Sequence, residues 1–278
     1  MKKGHSLFRV ILYLFCFCLQ KSALAQIEVS VRSVALSSCS VNLQDEWSLF
    51  QNPAGTAFLK NFSAGVSYKN NYLTKELSHQ SFVANLPTKN RGVSSVGYSQ
   101  FGYELYRQQD LLAGWSRLFS DKVSAGLAIH YARIHLGEEL GNSTLLKCRI
   151  GVQIKLTSSM QLGVVIDNPL RPKNNRIGEG RSAAGFYAGM KYQFSQKLAS
   201  YLQAEQISEQ APSFRLALEY CPIEHFFLRG GLASKPLSES FGFGFVWRQI
   251  KVDISSAYHQ HLGFSPALSM TYDFNNHE

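Results

Sequence analysis

The sequence predicts an all-β chain, a transmembrane antiparallel up-and-down β-barrel of about fourteen strands with an N-terminal plug or hatch segment. Three observations lead there. From Lys122 to Leu156 two consecutive stretches alternate strictly: Val123, Ala125, Leu127, Ile129 and Tyr131 fall on one face of the first, and Leu146, Cys148, Ile150, Val152, Ile154 and Leu156 on one face of the second. Thirteen alternating residues span roughly 40 Å at about 3.3 Å each, a length that a membrane barrel needs and a soluble sandwich rarely does. The first residues read as an export signal, and no apolar run of 18 residues follows that would cross a membrane as a helix.

In that signal, residues 1–25, Lys2, Lys3 and Arg9 form the positive end, Val10 to Leu19 the apolar run, and Ala23-Leu24-Ala25 the cleavage site. The expected address is the outer membrane of a Gram-negative bacterium after cleavage near Ala25. Loss of Lys2, Lys3, Arg9 and Lys21 lowers the formal charge from +9 to +5. Without a Lys/Arg run, that surplus gives no reading as a nucleic-acid binder. Two of the five cysteines leave with the signal. Cys39, Cys148 and Cys221 remain, an odd number without metal-ligand spacing, so neither a disulfide framework nor a metal site is expected.

Residues 26–60 are the expected hatch. They lack sustained alternation and contain Asp45-Glu46, Trp47 and a turn at Asn52-Pro53-Ala54-Gly55. Val29, Val31, Val34, Leu36, Val41, Leu43, Leu49 and Phe50 are too many apolar groups to leave in water, which predicts burial as a plug. Asp45 and Glu46 are expected to meet lumen cations such as Arg149 or Arg215.

The barrel wall is assigned to residues 61–274 and a short tail to 275–278. The first strand alternates through Phe62, Ala64, Val66 and Tyr68. The others are predicted at about 77–86, 92–101, 106–118, 122–135, 144–156, 160–167, 182–194, 197–207, 212–220, 225–233, 240–248, 250–259 and 264–274. Short connections alternate with longer ones, as periplasmic turns alternate with outer loops, and an even strand number returns both ends of the wall to one side. The longest connection is expected at 168–181. The last strand places Leu268, Met270, Tyr272 and Phe274 on one face.

With the apolar face outward, Lys147, Arg149, Lys155, Lys191, Arg215, Arg229 and Lys251 point into the lumen, against Glu205, Glu219 and Asp253. Two readings stand. The cations form an anion-favouring path able to hold a carboxylate, or they pair with one another's counter-ions and with Asp45 and Glu46. No catalytic site is expected. His259, His261 and Ser265 lie close together, but no acid or amide orients them as a nucleophile and its base require. No cofactor is implied.

Arg32-Ser33-Val34-Ala35-Leu36, followed by Asn42-Leu43-Gln44-Asp45 and then Asn52-Pro53-Ala54-Gly55 just before the first strand, resembles the fatty-acid-transporter (FadL-like) superfamily of outer-membrane barrels. With Phe119-Ser120-Asp121-Lys122 and Asn168-Pro169-Leu170, the chain looks closer to the PorV/PorQ type of Bacteroidetes. The resemblance implies that Asn52, Pro53 and Ala54 belong to a hatch inside a fourteen-stranded barrel. It also implies a monomer in outer-membrane lipid, inserted by the barrel-assembly machinery. The implied function is hatch-gated passage of a hydrophobic or amphipathic small molecule. The alternative is a closed barrel that serves type IX secretion as a protein-binding accessory.

Overall fold

The structure is a computed structural model and describes residues 29–137, 141–172 and 182–274. The expected signal segment 1–25 and tail 275–278 lie outside the described residues.

Fourteen antiparallel strands close into a barrel in sequence order, with β1 (Phe62–Asn70) paired to β14 (Gly263–Phe274). Between them run β2 (Ser78–Thr88), β3 (Gly92–Gly102), β4 (Tyr106–Ser120), β5 (Val123–Leu136), β6 (Asn142–Lys155) and β7 (Met160–Asp167). The second half comprises β8 (Gly185–Gln193), β9 (Leu198–Ile207), β10 (Ser213–Ile223), β11 (Phe226–Ser234), β12 (Leu237–Trp247) and β13 (Ile250–His259). Closure removes the free sheet edges, so backbone groups along the paired strands find partners without water.

The fourteen strands fall within two residues of where alternation predicts them, with three exceptions. β10 ends at Ile223 and not at 220, because Ile223 pairs with Phe226 across a bulge. β8 begins at Gly185 and not at 182, because Ser182 is held by Asn168 and Pro172 instead of by a neighbouring strand. β12 begins at Leu237 and not at 240, because Leu237, Ser238 and Glu239 extend the ladder with β11, so the connection expected at 234–239 shrinks to Lys235-Pro236.

The wall is amphipathic in the sense opposite to a soluble barrel. Outward-facing Phe82, Val96, Leu111, Ile150, Leu216, Phe243 and Leu268 are exposed. The inward positions hold small polar groups, among them Ser95, Ser116, Ser124, Ser240, Ser255 and Ser269, all buried. This is the arrangement expected when lipid is the outer solvent.

Residues 29–60 explain why a polar lumen is buried. The segment contains α1 (Val31–Ala35) and two 3-10 helices, Glu46–Phe50 and Pro53–Phe58. Ser30 caps α1, and Asp45 with Ser48 forms a capping box on the second element. Across the lumen, α1 packs on β11 to β14, the Glu46–Phe50 turn on β1 to β4, and the Pro53–Phe58 turn on β3 to β6. The apolar core therefore lies inside the barrel. Val29, Trp47, Leu49 and Phe50 pack on Val83, Leu112 and Ala128 of the wall, while Leu36, Cys39 and Leu43 pack on Ala199, Tyr201 and Ala217.

Candidate functional site: the lumen and its occupying segment

Two pairs of wall glycines receive the segment. Gly126 of β5 and Gly151 of β6 are cross-strand partners facing the lumen. A Cβ on Gly126 would lie 2.5 Å from the Pro53 carbonyl carbon, and one on Gly151 would overlap the Asn52 side chain. Gly163 of β7 and Gly189 of β8 are likewise paired, and a Cβ on either would lie 2.7 Å from Val41 O or Asn42 Oδ1 respectively. Each pair is a notch one side chain deep, and an Asn-containing turn fills each.

The Asn52-Pro53-Ala54-Gly55 turn starts the second 3-10 helix. Asn52 Oδ1 accepts from Ala54 N at 3.1 Å, and Pro53 takes the first helical position, where a missing N–H is harmless. Asn52 is fully buried and donates through Nδ2 to Val41 O at 2.7 Å. Gly55 packs against Leu43 O and Ser48.

Wall side chains hold the irregular backbone between these turns. Gln153 Nε2 donates to Val41 O and Leu43 O, both at 2.9 Å, and Gln203 Oε1 accepts from Ser40 N at 2.9 Å and Val41 N at 3.1 Å. Asn85 donates to Glu46 O, and Ser240 Oγ to Ala35 O. A loop buried in a lumen has no strand partner, so side-chain amides supply what a ladder elsewhere would.

The charges form local clusters. Glu219 accepts from Arg32 Nη2 at 2.8 Å and from Arg229 Nε at 2.6 Å, and Arg229 also reaches Asp253 across Gly244, whose missing side chain opens the way. Tyr201 donates its hydroxyl to the same Glu219 at 3.0 Å. Arg215 pairs with Glu205 at 2.6 Å and donates to Ser37 O at 2.8 Å. Arg149 pairs with its cross-strand neighbour Asp167 at 2.9 Å and also donates to Phe50 O. Lys251 pairs with Glu46 and, at 2.9 Å, with Asp273. Lys191 sits 5.6 Å from the centre of the Tyr201 ring. Lys155 is exposed at the end of β6, and Lys147 lines a cavity.

Asp45 and Glu46 do not meet Arg149 or Arg215, the partners expected from the sequence. Asp45 lies 3.4 Å from Arg32 of its own segment, and Glu46 reaches Lys251 instead. The reason is positional. Arg149 lies beyond Phe50 and is already satisfied by Asp167, whereas the Glu46–Phe50 turn runs along the β1 side of the lumen. Burial, acting against the Lys251 ammonium, pushes the Glu46 carboxyl above the ordinary carboxylate range.

A cavity of ≈ 80 Å³ remains on the far side of Phe50, bounded in part by Asp167 and by Ser182 to Gly185. Its lining includes Phe50, Ser99, Gln108, Asp110, Leu112, His130, Lys147, Arg149, Asp167, Tyr187 and Ile207. Sequence reasoning missed Asp110, Asp167, Gln153 and Gln203. Their inward parity was available, since Asp110 shares its face with Leu112, Gly114 and Ser116. What they bond to depends on strand register and on the path of the segment.

His259 and His261 have ring centres 6.0 Å apart, and Ser265 Oγ accepts from Tyr72 N. Among the described residues no group of three His, Cys, Asp or Glu side chains is placed to hold a metal. Among the described residues, Cys39, Cys148 and Cys221 form no disulfide.

No family model and no curated protein matches the chain. Solved structures do. The CymD monoaromatic hydrocarbon channel superposes with a TM-score of 0.68 at 13% identity, over 92% of this chain and 100% of that one. The chain has the fold of that channel. A Pseudomonas aeruginosa FadL homologue follows with a TM-score of 0.60 at 13% identity, over 90% and 99% of the two chains. The Pseudomonas putida toluene transporter TodX gives 0.61 at 10% identity, over 88% and 97%. The fold implied by the resemblance to the FadL-like barrels is therefore the one found.

Proposed function

We propose that this chain is an outer-membrane channel protein that passes a small hydrophobic or amphipathic molecule, with residues 29–60 acting as a hatch. The observation that carries the proposal is how the segment is held. Polar wall groups, Gln153, Gln203, Ser240 and Glu219 among them, grip its backbone and its Arg32. Such contacts exchange with water at modest net cost once water enters, and the apolar contacts of the segment are divided between separate clusters around Phe50 and Leu36. Two of the solved structures with this fold are a monoaromatic hydrocarbon channel and a toluene transporter, which supports the same reading.

A second reading, a closed barrel that binds a secretion partner, is favoured by a different observation. The lumen is filled, and Leu73, Leu105, Leu170 and Leu262 are exposed at the end opposite the two ends of the wall.

Ser37 Oγ lies 2.7 Å from Ser240 Oγ, which gives a test. With the native cysteines replaced, Ser37→Cys and Ser240→Cys together should lock the segment to β12 under oxidation. Passage predicts toluene uptake into vesicles that falls on oxidation and returns on reduction. Uptake indifferent to the lock contradicts the hatch, and no uptake in either state favours the partner-binding reading.

A further inference from the structure

We propose that the lumen cavity beyond Phe50 is a binding site for a small neutral hydroxylated molecule, such as a ring bearing adjacent hydroxyls. It deepens the passage reading by naming a substrate class and rests on that reading only for the ligand's route, not for its binding. The cavity measures ≈ 80 Å³, which suits a compact molecule better than a long acyl chain.

The polar lining points to a hydroxyl. His130 is about nine-tenths buried and its Nε2 has no hydrogen-bond partner, and Ser99 Oγ is buried and equally unpartnered. Leaving such atoms unmet is costly, so an occupant must bring both donors and acceptors. Asp110, whose Oδ2 already accepts from Gln108 Nε2 at 3.0 Å, offers an acceptor, and Lys147 offers a donor. A hydroxyl does both at once, donating to the carboxylate and accepting from the ammonium.

Charge argues for neutrality. Arg149 is engaged by Asp167 and Phe50 O, which leaves Lys147 and Asp110 as opposite charges facing the same space. An anion attracted to the first is repelled by the second, and a pure hydrocarbon satisfies neither. Phe50, Leu112 and Tyr187 supply apolar and aromatic wall for the ring.

Calorimetric titration of the full-length barrel in detergent with catechol, toluene and benzoate separates these chemistries. Catechol should bind more tightly than either comparator. Asp110→Asn and Lys147→Met should each weaken it by about tenfold or more, the loss expected for one hydrogen bond to a charged group. Ser99→Ala, which adds no bulk, gives a second variant should either charge change disturb assembly, and heat-dependent gel mobility reports assembly for all three. Overturning results are absence of catechol binding, toluene binding as tightly as catechol, or benzoate binding that Asp110→Asn strengthens. Catechol binding by a barrel that passes nothing into vesicles would sink the passage reading alone, and passage of toluene without catechol binding would sink this one alone.

Discussion

Asn52 occupies the space that the missing side chain of Gly151 leaves in the wall, so that a Cβ at position 151 would overlap the Asn52 amide. Since Gly126 stands opposite Gly151 and receives Pro53, one cross-strand pair fixes where the segment meets β5 and β6.

Gly151→Val should therefore unseat the segment while leaving the wall closed. Overpacking of this kind costs about 1 to 3 kcal/mol. The expected readout is faster protease cleavage between residues 30 and 50 with unchanged heat-dependent gel mobility. Ala113→Val, on the exposed outer face of β4, is the control and should change neither. Equal cleavage in all three proteins would mean that the notch does not position the segment.

Glu219 is the shared acceptor of Arg32, Arg229 and Tyr201. Glu219→Gln leaves buried guanidinium groups short of counter-charge, and removing one partner of a buried pair costs on the order of 3 to 5 kcal/mol. Adding Arg32→Met to that variant should cost less than the sum of the single changes, because the orphaned charge on the segment is gone. Denaturant unfolding of the two single variants and the double variant measures this, and strict additivity would show that the two residues do not act as a unit.

Glu46 gives a pH dependence of defined sign. Its carboxyl is raised by burial, so the folded chain holds a proton at pH values where the unfolded chain has released it. The contribution of Glu46 to stability therefore declines as pH rises from the ordinary carboxylate value of about 4.3 through the raised value. The difference in unfolding midpoint between the native chain and Glu46→Gln, followed over that window, should fall with increasing pH. A difference that grows with pH would contradict the assignment.

The two faces of β6 separate sharply. Ile150 and Leu146 are exposed and Arg149 and Leu145 buried, with Cys148 and Lys147 half-buried between them. Ile150→Arg should hinder insertion, by roughly 2 to 4 kcal/mol if the site lies at the bilayer midplane and less near the interface. Neutral replacement of Lys147 should leave insertion intact. Folding yields into vesicles decide, and equal yields for the two variants would reverse the face assignment.

The wall was legible in the sequence because one physical signal, a period of two, repeats from Phe62 to Phe274. Even the inward parity of Arg149, Arg229 and Glu219 could be read from it. The partners could not. Arg149 finds Asp167 because β6 and β7 pair in a register set by their hairpin, which a period of two does not reveal. The grip of Gln153 and Gln203 on Val41 depends on the path of a segment that has no period. The glycine notches were hidden for the same reason. Gly126 and Gly151 lie 25 positions apart in sequence and become one feature only when the register places them opposite each other.

Single-channel conductance reads out whether residues 29–60 close the lumen. In planar bilayers the intact chain should conduct little, and the chain lacking residues 27–55 should open steps of much larger conductance with its wall still assembled. Equal conductance of the two, with assembly confirmed by gel mobility, would mean that residues 29–60 do not close the lumen.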